Sequence, residues 1–328
     1  MGKYILRRLC YVVVVLFIIS IFMFAIFQLM PGDPVLHYMG QGHQDLTPTQ
    51  WQQLYEDTVR RMGFDRPVHI QYTRWLQGML TGNFGYSMVH RRPVLDVIRT
   101  PIFWSVVLNL ASMFLIFIVT VPLGIISAIK RGKTVDNGIL TFTLVGFSIP
   151  SFTVALIVIV IFAVFLGWFP ITGMHSPFLP EGQWAQFVDR LQYMAMPLIT
   201  LTFVGMAAFT RYVRAAMCDA LSEDYIRTAR SKGLKEKVVV YSHAFRNALI
   251  PLITILTGWF MGMFGGSVVI EQLFGWSGMG LTMLQGIMQM DYAIVRAVSL
   301  FYAFVAVIAI LLMDLAYGLA DPRVKVSK

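Results

Sequence analysis

Few residues in this chain stand at spacings that could do chemistry. Gly132-Lys133-Thr134 ends like a phosphate-binding loop, in which backbone N–H groups cradle phosphates and a lysine neutralises them. That pattern needs a further glycine five residues before Gly132, where this chain has Ser127, and the segment before it is an apolar run rather than a strand. The triplet is therefore a decoy, and any ATP hydrolysis must come from another chain. The six histidines show no HExxH-like spacing, and Gly146-Phe147-Ser148 has no companion base in its region, so neither a metalloprotease nor a serine protease is supported. Cys10 and Cys218 suggest neither a ligand set nor a disulfide framework. No catalytic residue and no metal site is assigned. Two carboxylates in or beside apolar segments are candidates of a different kind. Asp314, with Tyr317 one turn later, suits a structural hydrogen bond or ion pair. Glu271 lies where it could face either a substrate amine or solvent.

The elements that must position these residues are membrane spans. Hydrophobic residues make up 57% of the 328, and charged residues only 13%, about half the share of a soluble domain. The net charge of +9 would suit nucleic acid only if it clustered on a soluble domain, and here it falls between apolar blocks. A spanning helix needs about 20 mostly apolar residues. Six segments qualify: about 9–30, 102–129, 138–169, 193–210, 248–270 and 297–319. The first is too long for a cleaved h-region and ends in Pro31-Gly32-Asp33-Pro34 without a small-residue cleavage site, so it reads as a retained helix.

The Lys and Arg residues give the orientation. With the N-terminus inside, three lie at that terminus, three in 130–137, eight in 211–247 and three at the C-terminus, seventeen against nine on the other face. The short outer loops carry one each, Arg190 and Arg296, as the positive-inside rule requires. The expected fold is all-α, with six transmembrane helices and cytoplasmic termini. Its parts are an N-terminal helix (1–30), a small helical extracytoplasmic cap (31–101), a five-helix core (102–320) carrying a cytoplasmic loop (211–247), and a cytoplasmic tail (321–328). In the cap, Trp51 to Met62 and Ile70 to Leu80 have helical spacing, Gly82 to Gly85 form a turn, and Pro101 marks re-entry.

The loop 211–247 is the most informative stretch. Ser222 has the chemistry of an N-cap, Glu223 and Asp224 favour a first turn, and Arg227, Arg230 and Lys232 favour a last one. Gly233 then stands where left-handed backbone is wanted. These signals predict a capped helix over about 222–233. A lipid-lying helix would carry a broad apolar face, whereas this one offers only Tyr225, Ile226 and the small Ala229. That favours a protein partner.

Asp224 to Leu234, followed by Arg246-Asn247-Ala248-Leu249-Ile250-Pro251, resembles the EAA loop of ATP-binding-cassette importer permeases, in the variant of the dipeptide/oligopeptide/nickel branch. The general motif has Glu-Ala-Ala six to four residues before its glycine; here those places hold Arg227, Thr228 and Ala229. The likeness extends through Pro31-Gly32-Asp33-Pro34, Gly82-Asn83-Phe84-Gly85-Tyr86-Ser87, Glu271 with Phe274, Gly278 and Gly280, and Asp321-Pro322-Arg323. Ser277 departs from it, standing where the family often has proline. The cap resembles that of the B-type permease subunit.

The resemblance implies a type I importer fold in a bacterial inner membrane and the role of a peptide permease, with nickel import as the alternative within the branch. It implies a second homologous permease, two cytoplasmic ATPases that bind the ATP and magnesium, and an extracytoplasmic substrate-binding protein. No cofactor belongs to this chain. ATPase coupling would fall to Ser222, Glu223, Asp224, Tyr225, Arg227, Thr228, Ala229, Arg230 and Gly233. Gly258, Gly262 and Gly266 recur every four residues, a spacing that lets helix backbones approach closely. They would pack within the bundle, pack against the partner permease, or line the path. A secondary transporter driven by an ion gradient is the rival class, but it predicts midplane charges and internal repeats, and neither is evident.

Overall fold

A computed structural model describes residues 2–29, 33–39 and 46–320. The motif residues Pro31 and Gly32, the run Asp321-Pro322-Arg323 and the tail 321–328 lie outside the described residues, as do the side chains of Asp314 and Tyr317. Helix dominates. In chain order the helices are α1 (Gly2–Gln28), α2 (Pro34–Met39), α3 (Pro48–Met62), α4 (Val68–Leu80), α5 (Val94–Ile129), α6 (Thr134–Ser148), α7 (Ser151–Val158), α8 (Gln183–Ser222), α9 (Asp224–Ser231), α10 (Glu236–Val238), α11 (Arg246–Gly265), α12 (Val268–Phe274), α13 (Met279–Met288) and α14 (Tyr292–Ala320). A two-stranded antiparallel hairpin, β1 (Tyr86–Ser87) and β2 (Arg92–Pro93), precedes α5.

Among the described residues, Leu6–Gln28, Val94–Ile129, Gln183–Ser222 and Tyr292–Leu312 are long and apolar enough to cross a membrane. The expected span 138–169 is not one straight helix. It breaks at Pro150, and its halves, Thr134–Ser148 and Ser151–Phe165, are bent by 100°. Proline has no N–H to give and its ring clashes with the carbonyl four residues back, so α6 stops before it. The second half then widens into a π-helix over Ile159–Phe165. Conversely, the expected span 193–210 is only the middle of α8, whose 40 residues run through Pro197. The expected span 248–270 ends early, because α11 stops at Gly265 and Gly266 turns to φ +65°.

The chain divides into two compact units. The first comprises Met1–Phe103 and Gly278–Leu311. Its cap helices follow local chemistry closely. Thr47 and Gln50 form a reciprocal capping box before α3, Pro48 takes the first turn, and Gly63 closes the helix at φ +75°. The α4 helix holds α1 through a Ser20–Tyr72 hydrogen bond of 2.8 Å and the packing of Phe24 against Tyr72 and Trp75. Val94, Ile98, Met279, Ile294, Ala297 and Val298 form the unit's core. There the Ser87 hydroxyl donates to Asp291 at 2.5 Å. The α5 helix starts at Val94, immediately after the hairpin and ahead of the span expected from about 102, and carries Pro101 inside it.

The second unit, Trp104–Ser277 with Leu312–Lys328, is built around α8. Close approaches to α8 depend on glycines. A Cβ on Gly124 would stand 2.5 Å from the Val213 side chain, one on Gly205 would collide with Ile116, and one on Gly146 would lie 3.3 Å from Ala207. Below these contacts Phe209, Val213, Met217, Val239, Val240 and Ala244 make a continuous buried cluster.

Candidate functional site

The segment after α8 is positioned from that cluster outward. The α8 helix ends at Ser222, and Glu223 is extended (φ −74°, ψ 151°) before α9 begins at Asp224. Ser222 is therefore not the N-cap that the sequence suggests. Its hydroxyl donates back to the Asp219 carbonyl at 2.8 Å, and the cap position falls to Glu223, whose side chain makes no capping hydrogen bond. The other end closes as the sequence predicts. Gly233 takes φ +74°, its N–H donates to the Arg230 carbonyl, and the Leu234 N–H donates to Ala229. That is the Schellman arrangement, which satisfies carbonyls the helix would otherwise leave open.

One side of α9 is anchored. Ile226 and Ala229 are buried with Met217, Ala220, Val239 and Val240, three residues apart and so on one face of the helix. The remaining candidates, Ser222, Glu223, Asp224, Tyr225, Arg227, Thr228, Arg230 and Gly233, are all exposed. Ala229 differs from them in facing inward. Tyr225 sits at the margin, where partial burial pushes its hydroxyl pKa up against the opposing effect of the Asn247 amide. Arg230 donates to both Glu236 carboxylate oxygens, at 3.2 and 2.7 Å, so α9 is tied to α10. The guanidinium holds the Glu236 carboxyl below its ordinary range. The result is a short exposed ridge, anchored on one side and carrying charge of both signs.

Sequence reading missed the brace under this ridge. Asp136, buried on α6, accepts from Arg214 Nε and Nη2 at 2.7 Å each, from the Ser127 hydroxyl at 2.5 Å and from the Gly132 N–H at 2.8 Å. A charge taken out of water needs this many partners. It ties the 130–133 turn to α8, the helix that leads into α9. Gly132-Lys133-Thr134 thereby finds its physical role: Gly132 turns at φ +77° and presents its N–H to Asp136.

The other candidates fall elsewhere. Gly258 and Gly262 are exposed on α11, and a Cβ on either would meet nothing within 4 Å. Gly266 lies beyond the helix end, so the four-residue stripe is two positions long, and the close packing found inside this chain uses Gly124, Gly205 and Gly146 instead. Glu271 faces neither solvent nor an open path. It is 1% exposed on α12, where Ser105 donates to its carboxylate at 3.0 Å. Burial of that side chain was not legible, because Ser105 is 166 residues away in sequence.

Residues 120–326 match the family described as binding-protein-dependent transport system inner membrane component, and residues 1–111 match the N-terminal part of the membrane component of such systems. The chain is similar to the oligopeptide transport system permease protein AppB of Bacillus subtilis (strain 168), at 35% identity over 326 residues, covering 99% of this chain and 100% of that one. It is 33% identical to the di/tripeptide transport system permease protein DppB of Pseudomonas aeruginosa (strain UCBPP-PA14), with 99% of each chain covered. It is 32% identical to the glutathione transport system permease protein GsiC of Escherichia coli (strain K12), again over 99% of each. A solved structure of the MetNI methionine ABC transporter in inward-facing conformations aligns at a TM-score of 0.51 and 15% identity, over 68% of this chain and 97% of that one, a likeness of fold. Such components work with an ATPase and a substrate-binding protein and are not themselves the ATPase. The chain belongs to the binding-protein-dependent transport system inner membrane components, as a multi-pass permease of the bacterial inner membrane.

Proposed function

We propose that this chain is half of the translocation pathway of an ATP-driven peptide importer, and that the ridge around 222–233 seats in one of two cytoplasmic ATPases. The other half of the pathway is a second, homologous permease, and an extracytoplasmic binding protein delivers the substrate. ATP and magnesium bind the ATPases, and this chain makes no covalent chemistry. Its work is to be more stable in one of two conformations when the ATPases close. Six crossings with both termini inside fit the charge asymmetry. The names of the relatives, oligopeptide, di/tripeptide and glutathione permeases, favour peptide over nickel.

The observation that carries the coupling role is α9 itself. It is anchored through Ile226 and Ala229, while Tyr225, Arg227, Thr228 and Arg230 remain exposed. The test is uptake of a labelled tripeptide by proteoliposomes holding this chain with its permease, ATPase and binding-protein partners. Gly233 has open space around it, so substitutions there act through its φ of +74°. A β-branched residue in that region is strained by about 1–2 kcal/mol, whereas asparagine tolerates it. Gly233→Val is expected to lower both uptake and ATPase co-purification about tenfold, and Gly233→Asn to keep most of each. Uptake that persists without the ATPases would sink the reading.

A further inference from the structure

A cavity of about 320 Å³ lies within the first unit, outside everything assigned above. Its walls include Phe24 and Phe27 of α1, Arg74 and Trp75 of α4, and Tyr292 and Arg296 of α14. Its depth in the bilayer follows from the chain. Phe24 and Phe27 stand in the last turns of the span Leu6–Gln28, and Tyr292 and Arg296 in the first turns of the span Tyr292–Leu312. Two spans thus reach the same bilayer surface at this cavity, and its aromatic walls are of the kind that settle at headgroup level.

The polar groups in the walls are donors in excess. Among the described residues, no aspartate or glutamate lines the cavity and neither Arg74 nor Arg296 forms an ion pair. Arg296 uses Nε on the Tyr292 carbonyl, at 3.1 Å, and keeps its terminal nitrogens. The Trp75 indole N–H is buried with no acceptor among the described residues. Arg74 is exposed and Arg296 half-buried, and the two guanidinium groups line one cavity beside an unsatisfied indole, a donor set that calls for an acceptor-rich anion. The apolar part of that ligand has a track as well. Phe17 and Ile21 lie seven and three residues before Phe24, hence on the same face of α1, and are 50% and 44% exposed.

We propose that this cavity binds the phosphate headgroup of an anionic phospholipid, with the acyl chains running along Phe17 and Ile21. The site rests on membrane placement alone and not on peptide import, so either idea can fail without the other. Loss of two charge-assisted contacts amounts to about tenfold or more in affinity.

Native mass spectrometry of the full chain, delipidated and then titrated with phosphatidylglycerol or phosphatidylcholine, reads the site directly. One phosphatidylglycerol is expected to stay bound under activation that strips phosphatidylcholine. Arg74→Gln with Arg296→Gln should cut its retention at least tenfold, and Arg74→Lys with Arg296→Lys should restore most of it. Phe17→Ala with Ile21→Ala should weaken retention while leaving both charges in place. Equal retention of the two lipids by the unaltered chain overturns the proposal, and that comparison stands even where a variant fails to fold. Displacement of the lipid by millimolar inorganic phosphate or by a tripeptide would also overturn it, pointing to a free anion or a peptide carboxylate.

Discussion

Two acidic residues show how differently a carboxylate can matter in this chain. Asp136 is 1% exposed and receives four hydrogen bonds, two of them from Arg214. Removing one partner of a buried pair leaves the other uncompensated, a loss on the order of 3–5 kcal/mol. Asp136→Asn, which keeps the shape and removes the charge, should lower stability by about 3 kcal/mol in equilibrium unfolding by dodecyl sulfate titration in mixed micelles. Glu236, paired with Arg230 at the surface, is more than half exposed, so Glu236→Gln should change stability by less than about 1 kcal/mol. Its carboxyl pKa is lowered in the folded chain. The small contribution is therefore complete above the ordinary glutamate range and disappears as pH falls through the lowered value. Equal losses from the two substitutions would contradict this ranking. Sequence could rank neither residue. Arg214 is 78 positions from Asp136, and only the fold brings them together.

At the scale of elements, the glycines that matter for packing inside this chain are not the ones in a stripe. Gly258 and Gly262 have helical spacing that reads easily from sequence, yet they are open, whereas Gly124 and Gly205 are isolated in sequence and tightly faced. Gly124 opposes the Cβ and Cγ1 of Val213, and the backbone N of Arg214 is 3.1 Å from where its own Cβ would be. Valine is stiff at χ1, so Gly124→Ala has no cheap way to make room and should lose about 1–3 kcal/mol. Gly205 opposes the end of Ile116, a side chain that can rotate, so Gly205→Ala should lose less. Gly258→Ala should leave the purified chain at least as stable, because alanine suits a helix better than glycine by about 1 kcal/mol. The same mixed-micelle titration orders the three, and a Gly258→Ala chain as unstable as Gly124→Ala would refute the assignment. Elements whose signals are local were legible: the capping box at Thr47, the stop at Gly63 and the stop at Gly233. The lengths of α5 and α8 were not, because their polar ends extend past the apolar windows, and neither was the 100° bend at Pro150, which sequence marks only as a break.

At the scale of the whole molecule, that bend decides the topology. Between the cap and α9 lie α5, the bent pair α6–α7 and α8. If the pair crosses once, the chain crosses three times between them, and cap and ridge face opposite compartments. If the pair is re-entrant, the chain crosses only twice, and they face the same one. The basic residues argue for the first case, since 130–133 and 211–247 are rich in Lys and Arg while 166–192 carries Arg190 alone. Three positions exposed on the described chain can report this: Gln52 in the cap, Glu181 after the bent pair and Arg227 on the ridge. In a background of Cys10→Ser and Cys218→Ser, each is replaced singly by cysteine and treated with a membrane-impermeant maleimide. Gln52→Cys and Glu181→Cys should label in intact spheroplasts, and Arg227→Cys only in inverted vesicles. Labelling of Gln52→Cys and Arg227→Cys from one side, with Glu181→Cys on the other, would make the pair re-entrant. It would place the ridge away from any cytoplasmic ATPase, so the bend at Pro150, more than the residues of α9, bears on whether this surface can couple ATP to transport.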